Sequence, residues 1–434
     1  MKQQKLTLIC QHFYPEMLST GLVMTQLMVG LARKGWQIRV YCGQPTYSDE
    51  ADQWTAGHDD KVVVDGQPIE GIEIIRIRTL GGARGWLPIR ALNAIGFLLS
   101  ICWLLLRDRN QIQGIINSTN PPFIGVAACL FKLLTQKRFI TIVHDVYPDV
   151  AVSIGLIAET SWIARVWKQV TKMIFQQSSA LVVLGRDMEQ LVHERYFLPK
   201  GQDDLTKKYS TKTPQIIRIP NWADETHLRP IAHGQNGFRD IHNPAQHFLV
   251  QYAGRMGRTH TLEPLIEAAE RLQNHPVLFQ LIGDGAKQEA LMAMVRERNL
   301  QNVQFLSYQP YAHLAEVISA ADLAVVCLDS ACTGVSVPSK TYGILACARP
   351  ILALVHADSE IGQVVQETQC GWVLSDNNDS AFIGREIATQ IQHRLNNPDL
   401  GIEQGKNGNR AFHTTYRLEN AVARYDQLLR EHFL

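Results

Sequence analysis

The chain of 434 residues is 46% hydrophobic and 19% charged, with a formal net charge of +1. This composition is typical of a folded globular protein with ample core, and it excludes a disordered chain. The near-zero charge gives no bulk electrostatic case for nucleic-acid binding. At roughly 100–200 residues per domain, the length predicts two or three domains.

The cysteine pattern and the N-terminus indicate the compartment. The eight cysteines form no C-x-x-C pair, and most lie in apolar runs. This favours small buried side chains in a reducing compartment over disulfides or a zinc site. The first residues, MKQQKLTLIC, lack a signal-peptide pattern and lead directly into a strand. We therefore expect a cytoplasmic protein.

An apolar stretch at 91–106 is flanked by arginines at 84, 90, 107 and 109. With 16 residues, it falls short of the roughly 20 needed to span a bilayer. It is either a buried core helix or a shallow membrane contact. Contact would use apolar side chains such as Trp86, Leu87, Ile95, Phe97, Leu98, Leu99, Trp103, Leu104 and Leu105. The segment at 82–90 is the better candidate, so we expect peripheral binding at the inner face of the cell membrane.

Short β-branched runs alternate with helical patterns along the chain. The first series of predicted strands is Leu6–Cys10, Ile38–Cys42, Ile72–Ile77, Gly114–Ile116, Phe139–Val143 and Ala180–Leu184. The second is Phe248–Tyr252, Val277–Ile282, Val303–Phe305, Leu323–Val326, Pro350–Ala353 and Gly371–Val373. This rhythm predicts an α/β protein with two Rossmann-like domains. A polar segment at 222–246, with prolines and glycines, is interpreted as the interdomain linker.

In open α/β sheets, ligands bind outside the carboxyl ends of the strands, so the loops there are the candidate sites. The first loop, QHFYPEMLSTG, ends in Thr20 and Gly21 before a helix predicted at 21–34. Free N–H groups at a helix N-terminus can hold a phosphate. Ser19 or Thr20 is equally suited to be an ordinary helix cap, and both interpretations stay open.

His144 and Asp145 directly follow the strand Phe139–Val143. A histidine next to an aspartate at a strand end can accept a proton or hold sugar hydroxyls. Such a pair is more often structural than catalytic when nothing else is known of its surroundings.

Two loops of the second half contain glycines that allow close backbone approach. In YAGRMGR, Gly257 precedes Arg258, whose guanidinium can clamp two oxygens of a diphosphate. The tight turn Gly283, Asp284 and Gly285 could face a nucleoside, although Gln288 breaks the G-x-G-x-x-G fingerprint. For the YAGRMGR loop, a functional role is favoured over an ordinary surface loop. The turn at 283–285 is a weak signal on its own.

Ser339 and Lys340 follow Pro338 at the start of a predicted helix. A lysine beside free helix N–H groups is suited to a pyrophosphate, and the alternative is a solvated lysine.

Taken in order, these segments resemble the family 4 retaining glycosyltransferases of the GT-B fold. The carrying pieces are FYPEMLSTG, VHDVYPDV, IPNWAD, YAGRMGR, LIGDG, NVQFLSY and VPSKTYGILACARPILA. Together they cover nearly the whole chain and look most like the WbuB-like and colanic-acid-type subgroup, which builds bacterial surface polysaccharides.

The resemblance implies two domains facing each other across a cleft. Residues 1–223 would form the acceptor-side domain, with the helix at 415–434 packing back on it. Residues 224–414 would bind the nucleotide-sugar. His144 and Asp145 would be catalytic, and Thr20, Gly21, Gly257, Arg258, Gly283, Asp284, Gly285, Ser339 and Lys340 would bind the donor.

One departure concerns the Glu-x7-Glu motif of the broad family. Alignment places Val335 and Gly343 where the two glutamates stand, so both carboxylates are missing. The resemblance then gives Ser339 and Lys340 part of the donor-binding role, as in the Pro-Ser-Lys version of the subgroup. Glu360, in HADSEIG, is a candidate for holding the donor ribose or sugar.

The chain contains no Asp-x-Asp triplet, the element with which GT-A transferases hold a divalent metal. We therefore expect no metal and no other cofactor, with Arg258, Lys340 and helix N-termini neutralising the diphosphate.

The predicted function is transfer of a sugar from a nucleotide-sugar to a lipid-linked or glycan acceptor for O-antigen, capsule or exopolysaccharide. The partners would be the donor, the acceptor and the membrane surface, without nucleic acid. The alternatives are a GT-B nucleotide-sugar 2-epimerase and a non-catalytic nucleotide-sugar-binding protein.

Overall fold

The chain folds into two compact units. The computed structural model describes residues 4–16, 19–45, 61–64, 66–78, 87–198, 214–375 and 379–434. The first unit comprises 1–184, 189–220 and 418–434, and the second comprises 185–188 and 221–417. Sequence analysis placed 185–188 in the first domain. They join the second unit because Arg186 and Asp187 bind there, Arg186 to Glu360 and Asp187 to the backbone N–H of Gly334.

The first unit is built on a seven-stranded parallel sheet of order β5-β2-β1-β6-β7-β8-β9. A two-residue antiparallel pair, β3 with β4, lies outside it. The strands are β1 (Lys5–Ile9), β2 (Gln37–Gly43), β3 (Val63–Val64), β4 (Gln67–Pro68), β5 (Ile72–Ile77), β6 (Gly114–Ser118), β7 (Phe139–Val143), β8 (Ala180–Val183) and β9 (Gln215–Arg218). The central strands β6, β7 and β8 are buried throughout, as expected of a sheet covered on both faces.

The second unit contains a six-stranded parallel sheet of order β12-β11-β10-β13-β14-β15. Its strands are β10 (Phe248–Ala253), β11 (Val277–Ile282), β12 (Val303–Leu306), β13 (Leu323–Cys327), β14 (Ile351–Leu354) and β15 (Gly371–Leu374). Every strand expected from the sequence is present, with slightly shifted ends. The short pair β3–β4 and the edge strand β9 were not predicted.

The helices cover these sheets. In chain order they are α1 (Ser19–Arg33), α2 (Leu87–Arg107), α3 (Gly125–Thr135), α4 (Asp149–Ser153), α5 (Trp162–Gln177), α6 (Arg186–Val192), α7 (Gly237–His242), α8 (Glu263–Arg271), α9 (Gln288–Glu297), α10 (Leu314–Ser319), α11 (Lys340–Ala346), α12 (Glu360–Thr368), α13 (Ser380–Asn396), α14 (Pro398–Ala411) and α15 (Leu418–Phe433). The C-terminal α15 packs on α1 in the first unit, where a Cβ on Gly30 would overlap Val422 at 2.3 Å.

The segment at 222–246 is not a polar linker, contrary to the sequence-based expectation. It packs into the second unit and contains α7. Arg239, on α7, is buried, and its Nη1 lies 2.9 Å from the carboxylate of Asp322 while its Nε donates to Gln246. Charged residues that are fully paired can pack against a core, and composition alone hides this pairing.

The apolar stretch at 91–106 forms most of α2, which has one side buried in the core and the other exposed. Phe97, Ile101, Leu104 and Leu105 are buried, so the prediction that Phe97, Leu104 and Leu105 contact a membrane is wrong. Residues 82–86 lie outside the described part of the chain. Within the described part, no helix combines the length and apolar character needed to cross a membrane.

Candidate functional site

In each sheet there is one pair of neighbouring strands from which the chain continues in opposite directions along the sheet. In the first sheet this pair is β1 and β6, because the connections from β1 and β6 run in opposite directions. In the second it is β10 and β13. A crevice forms at the carboxyl ends of such neighbouring strands, and it is the usual ligand site of doubly wound sheets.

In the first unit, the turn after β7 carries His144 and Asp145. Their backbone N–H groups both donate to the hydroxyl of Thr119, at 3.1 and 3.2 Å. Thr119 follows β6, the strand beside β7, and its own N–H donates to Ile142 at 3.1 Å. One hydroxyl therefore fixes the backbone of the pair. Sequence analysis missed Thr119 because its role depends on the pairing of β6 with β7.

The His144 ring is buried, and its Nε2 atom makes no hydrogen bond with the described residues. Burial lowers the pKa of His144 to about 4. The imidazole is therefore neutral near pH 7 and can accept a proton. Asp145 is only partly buried. The two side chains thus differ in exposure, and their catalytic role stays a prediction.

Thr20 and Gly21 lie inside the first turn of α1, which begins at Ser19. The choice between a phosphate site and an ordinary helix cap at this end stays a prediction. Thr20 Oγ1 accepts a hydrogen bond of 3.5 Å from Asn120, in the loop after β6. A Cβ on Gly21 would lie 2.5 Å from the carbonyl oxygen of Glu16. Gly21 therefore has a packing reason to be glycine, and Thr20 borders the crevice between β1 and β6.

Three aromatic residues missed in the sequence line a cavity beside Thr119. The Trp167 ring stacks on Tyr147 at 5.5 Å between centroids and contacts Phe123 at 4.8 Å. Phe123 has φ of 72°, a conformation that is rare for a bulky side chain. Such an outlier points to a functional constraint. Only the folded chain brings the three rings together.

In the second unit, the loops after β10 and β11 touch backbone to backbone. Gly254, Gly283 and Gly285 all have φ between 125° and 146°. A Cβ on Gly283 would lie 2.2 Å from the Gly254 oxygen, and one on Gly285 would lie 2.4 Å from the Met256 oxygen. These glycines are therefore needed to close the two loops together. Asp284 is exposed beyond them, and Gly257 is partly exposed.

Lys340 begins α11, and its ammonium group lies under the Gly254 loop. A Cβ on Gly254 would be 2.7 Å from Lys340 Nζ, which lies 3.6 Å from the centroid of the Tyr252 ring. The Nζ atom is buried and has no hydrogen-bond partner among the described residues. Burial lowers the pKa of Lys340 to about 8. A buried cation without a counterion is costly, and a bound anion would relieve that cost.

The charges around this loop are mainly positive. His260 has its pKa lowered to about 3, first by burial and then by the nearby charges of Lys340 and Lys287. Lys287 is itself paired with Glu263 at 2.9 Å. Arg258 is exposed on the same loop. The surroundings therefore favour an anionic ligand.

The remaining predicted donor residues are Ser339 and Glu360. Ser339 is exposed, and its side chain caps no helix N–H. The Glu360 carboxylate is buried and accepts from the backbone N–H of Arg186 at 2.7 Å and from its Nε at 3.0 Å. Glu360 is therefore already engaged within its own unit. Sequence analysis could not detect Arg186 as its partner, since 174 positions separate them.

The two positions of the missing motif are apolar in the fold. Val335 is buried, and a Cβ on Gly343 would meet the δ-carbons of Leu228 and Ile318 at 3.3 Å. Among the described residues, no group of three or more His, Cys, Asp or Glu side chains is placed to hold a metal ion.

Two Rossmann-like domains with parallel sheets define the GT-B class of fold. The fold matches sucrose-phosphate synthase from Thermosynechococcus elongatus with a TM-score of 0.72 at 18% identity, covering 99% of this chain and 98% of that one. It matches the Anabaena protein Alr3699/HepE in complex with UDP-glucose with a TM-score of 0.69 at 13% identity, covering 98% and 99%.

Residues 235–408 match the family model described as Glycosyl transferases group 1. The chain is 27% identical to the probable glycosyltransferase WbjE of Pseudomonas aeruginosa over 286 residues, 66% of this chain and 68% of that one. It is 22% identical to the putative colanic acid biosynthesis glycosyl transferase WcaI of Escherichia coli K12 over 375 residues, 82% and 84% of the two chains. These similarities support a glycosyltransferase of the GT-B fold.

Proposed function

We propose that this protein transfers a sugar from a nucleotide-sugar to a lipid-linked or glycan acceptor in the synthesis of a bacterial surface polysaccharide. The observation that carries the proposal is the buried ammonium of Lys340 at the carboxyl edge of the second sheet, which has no hydrogen-bond partner among the described residues. A nucleoside diphosphate supplies the missing negative charge. The names of WbjE and WcaI support the polysaccharide context.

The donor would bind in the second unit. The Gly254 and Gly283 turns would bring backbone close to the donor, with Lys340 beneath them and Arg258 on the same loop as Gly254. Charge-assisted contacts to phosphate suit both cations. A related fold, HepE, carries UDP-glucose in its crystal structure, so a uridine nucleotide is the first donor to test.

The acceptor side would lie in the first unit, with His144 and Asp145 near the reacting groups. We propose a retaining reaction and membership of the WbuB-like, colanic-acid-type subgroup, as the sequence resemblance implies. A neutral His144 and a partly exposed Asp145 are compatible with holding and deprotonating an acceptor hydroxyl.

A donor screen tests the proposal. Purified protein is mixed with a panel of nucleotide-sugars, and the melting temperature is recorded for each. A specific donor at 100 times its Kd should stabilise the protein by about 2.7 kcal/mol. Absence of any shift across the panel contradicts the proposal. A binder that is converted without an acceptor would instead identify the epimerase, and one that is never converted the non-catalytic protein.

Chelation tests how the diphosphate is neutralised. We expect transfer activity to survive excess EDTA, because Lys340 and Arg258 would take the place of a metal ion. Activity is measured before and after chelation and again after adding magnesium or manganese. Loss on chelation with recovery on metal addition would show that a divalent ion is required.

A further inference from the structure

The first unit exposes an extended apolar surface on one side of its sheet. Connections β5–α2–β6, β6–α3–β7 and β7–α5–β8 cross the sheet in the same direction. Right-handed crossovers therefore place α2, α3 and α5 on one face. Helix α3 packs against both α2 and α5, so the outer sides of the three helices form a continuous surface. We call this surface the three-helix face.

Helix α2 contributes a stripe of large apolar side chains to the three-helix face. Leu92, Ile95, Leu99, Trp103 and Leu106 are all exposed. Their spacing of three or four residues puts them on one side of the helix. The opposite side of α2 is buried against the core. Helix α2 thus carries large apolar side chains on both its core side and its solvent side.

The neighbouring helices continue the apolar stripe. Leu133 and Leu134 of α3 are exposed, Leu133 by 71%. Trp162 of α5 is exposed by 72%, and Val166 and Met173 follow on the same helix. The helices α2, α3 and α5 carry five, three and four exposed large hydrophobic side chains, twelve of the twenty in the described part of the chain. Contiguous apolar surface of this kind marks an interaction site.

The charges of the three-helix face decide what binds it. The segments α2, α3 and α5 contain no aspartate or glutamate, and α3 and α5 carry Lys132, Arg165, Lys168 and Lys172. Arg107, at the end of α2, is paired with Asp108 and adds no net charge. A second copy docking through the same face would bring like charges together. A surface of anionic lipid headgroups over an apolar layer matches both the charge and the exposed side chains.

We infer that the three-helix face docks on the surface of a bilayer that contains anionic lipids. The opposite face of the sheet differs, since α1 is covered there by α15. Docking through α2, α3 and α5 would hold the first unit at the headgroup layer, where a lipid-linked acceptor lies. This inference deepens the proposed function, but vesicle binding itself does not depend on sugar transfer.

Co-sedimentation with vesicles tests the inference. Wild-type protein should pellet with vesicles of phosphatidylglycerol and phosphatidylcholine at low salt, and much less with phosphatidylcholine alone. The variant L99S/W103S/L133S should bind at least tenfold more weakly, and R165Q/K172Q several-fold more weakly. All these side chains are solvent-accessible, so the fold should tolerate the changes.

Matched variants in the second unit serve as controls. I241S/I402S removes two exposed apolar side chains there, and R271Q/K406Q removes two exposed charges. Both should bind vesicles like wild type. Wild-type protein that stays in the supernatant, or controls that lose as much binding as the test variants, would overturn the inference. So would a dimer in solution that L99S/W103S/L133S abolishes without any effect on vesicles.

Nucleotide-induced thermal shifts, measured on the same variants, separate the two proposals. The test variants should keep the wild-type shift, because the donor site lies in the other unit. A wild-type protein that binds vesicles but no nucleotide would contradict the proposed function alone.

Discussion

Replacing Lys340 with methionine should weaken nucleoside-diphosphate binding at least tenfold and raise the thermal stability of the free protein. Methionine fills similar space without the charge. A charge-assisted contact to phosphate contributes about 1.5–3 kcal/mol, which sets the loss of affinity. The free variant should be more stable than the wild type because the wild-type ammonium is buried without a hydrogen-bond partner among the described residues. Calorimetric titration with UDP and thermal unfolding measure the two effects.

The gain in stability follows from the pKa. Burial lowers the pKa of Lys340 from 10.5 to about 8. At about 1.4 kcal/mol per pH unit, this costs the folded state about 3 kcal/mol below pH 8. A gain in stability of up to about 3 kcal/mol below pH 8 is therefore expected in Lys340→Met.

The same pKa predicts how binding depends on pH. A bound anion favours the protonated lysine, so wild-type affinity should fall as pH rises above 8. The folded pKa is the lowered one, so wild-type stability should rise between pH 8 and 10.5 relative to Lys340→Met. If Lys340→Met bound the nucleotide with wild-type affinity at every pH, Lys340 would not belong to the donor site.

Arg258 provides a contrast on the same loop. It is exposed, so Arg258→Ala should weaken nucleotide binding without changing the stability of the free protein. Arg271→Ala is the matched control, since it removes an exposed arginine from a helix of the same unit. If Arg258→Ala and Arg271→Ala bind the nucleotide with equal affinity, Arg258 does not contact the diphosphate, and only Lys340 and the backbone would bind it.

Much of the fold could be predicted because buried parallel strands are short, apolar and β-branched. Phe139–Val143 and Val277–Ile282 lie where the pattern predicted them. The edge strand Gln215–Arg218 was missed because its side chains are only partly buried and lack such a run. The segment at 222–246 was predicted as a linker for a related reason, because Arg239 is polar in the sequence but paired and buried in the fold.

The candidate site was predictable only where glycine or charge marks a strand end. Gly257, Gly283 and Lys340 were predicted as donor-binding residues from that signal. The strand order that brings Lys340 under Gly254 is not written in any local pattern, because β13 pairs with β10 across more than seventy positions. No local pattern predicts the hydrogen bond between Thr119 and the backbone of His144 either, nor the pairing of Glu360 with Arg186.

Replacing His144 or Asp145 with alanine should reduce turnover at least a hundredfold while donor affinity changes little. Groups that act mainly in the transition state lower kcat more than they change binding, and a positioned base contributes about 10²–10⁴ in rate. The Nε2 atom of the neutral His144 ring is buried and makes no hydrogen bond with the described residues, and in the proposed role it would take the acceptor proton. Initial rates over a range of acceptor concentrations, together with donor titrations, separate the two parameters.

The pKa of His144 adds a signature that a structural role would not give. With the pKa lowered to about 4, the base stays neutral from pH 6 to 8, so kcat/KM should be flat there with respect to this group. It should fall as pH drops through 4, because protonation removes the acceptor lone pair. His144→Ala should lose that acid limb as well as the rate.

Asp149 supplies the matched control for Asp145. It lies four residues after Asp145, at the start of α4, but its carboxylate is buried, accepts from the Tyr196 hydroxyl and pairs with Arg195. Asp149→Asn should therefore lower the melting temperature and leave the turnover of the folded fraction unchanged. Asp145→Ala should lower the turnover and leave the melting temperature unchanged. If Asp145→Ala and His144→Ala transfer sugar at the wild-type rate, the hydrogen bonds to Thr119 describe a structural turn, and the proton acceptor lies elsewhere in the molecule.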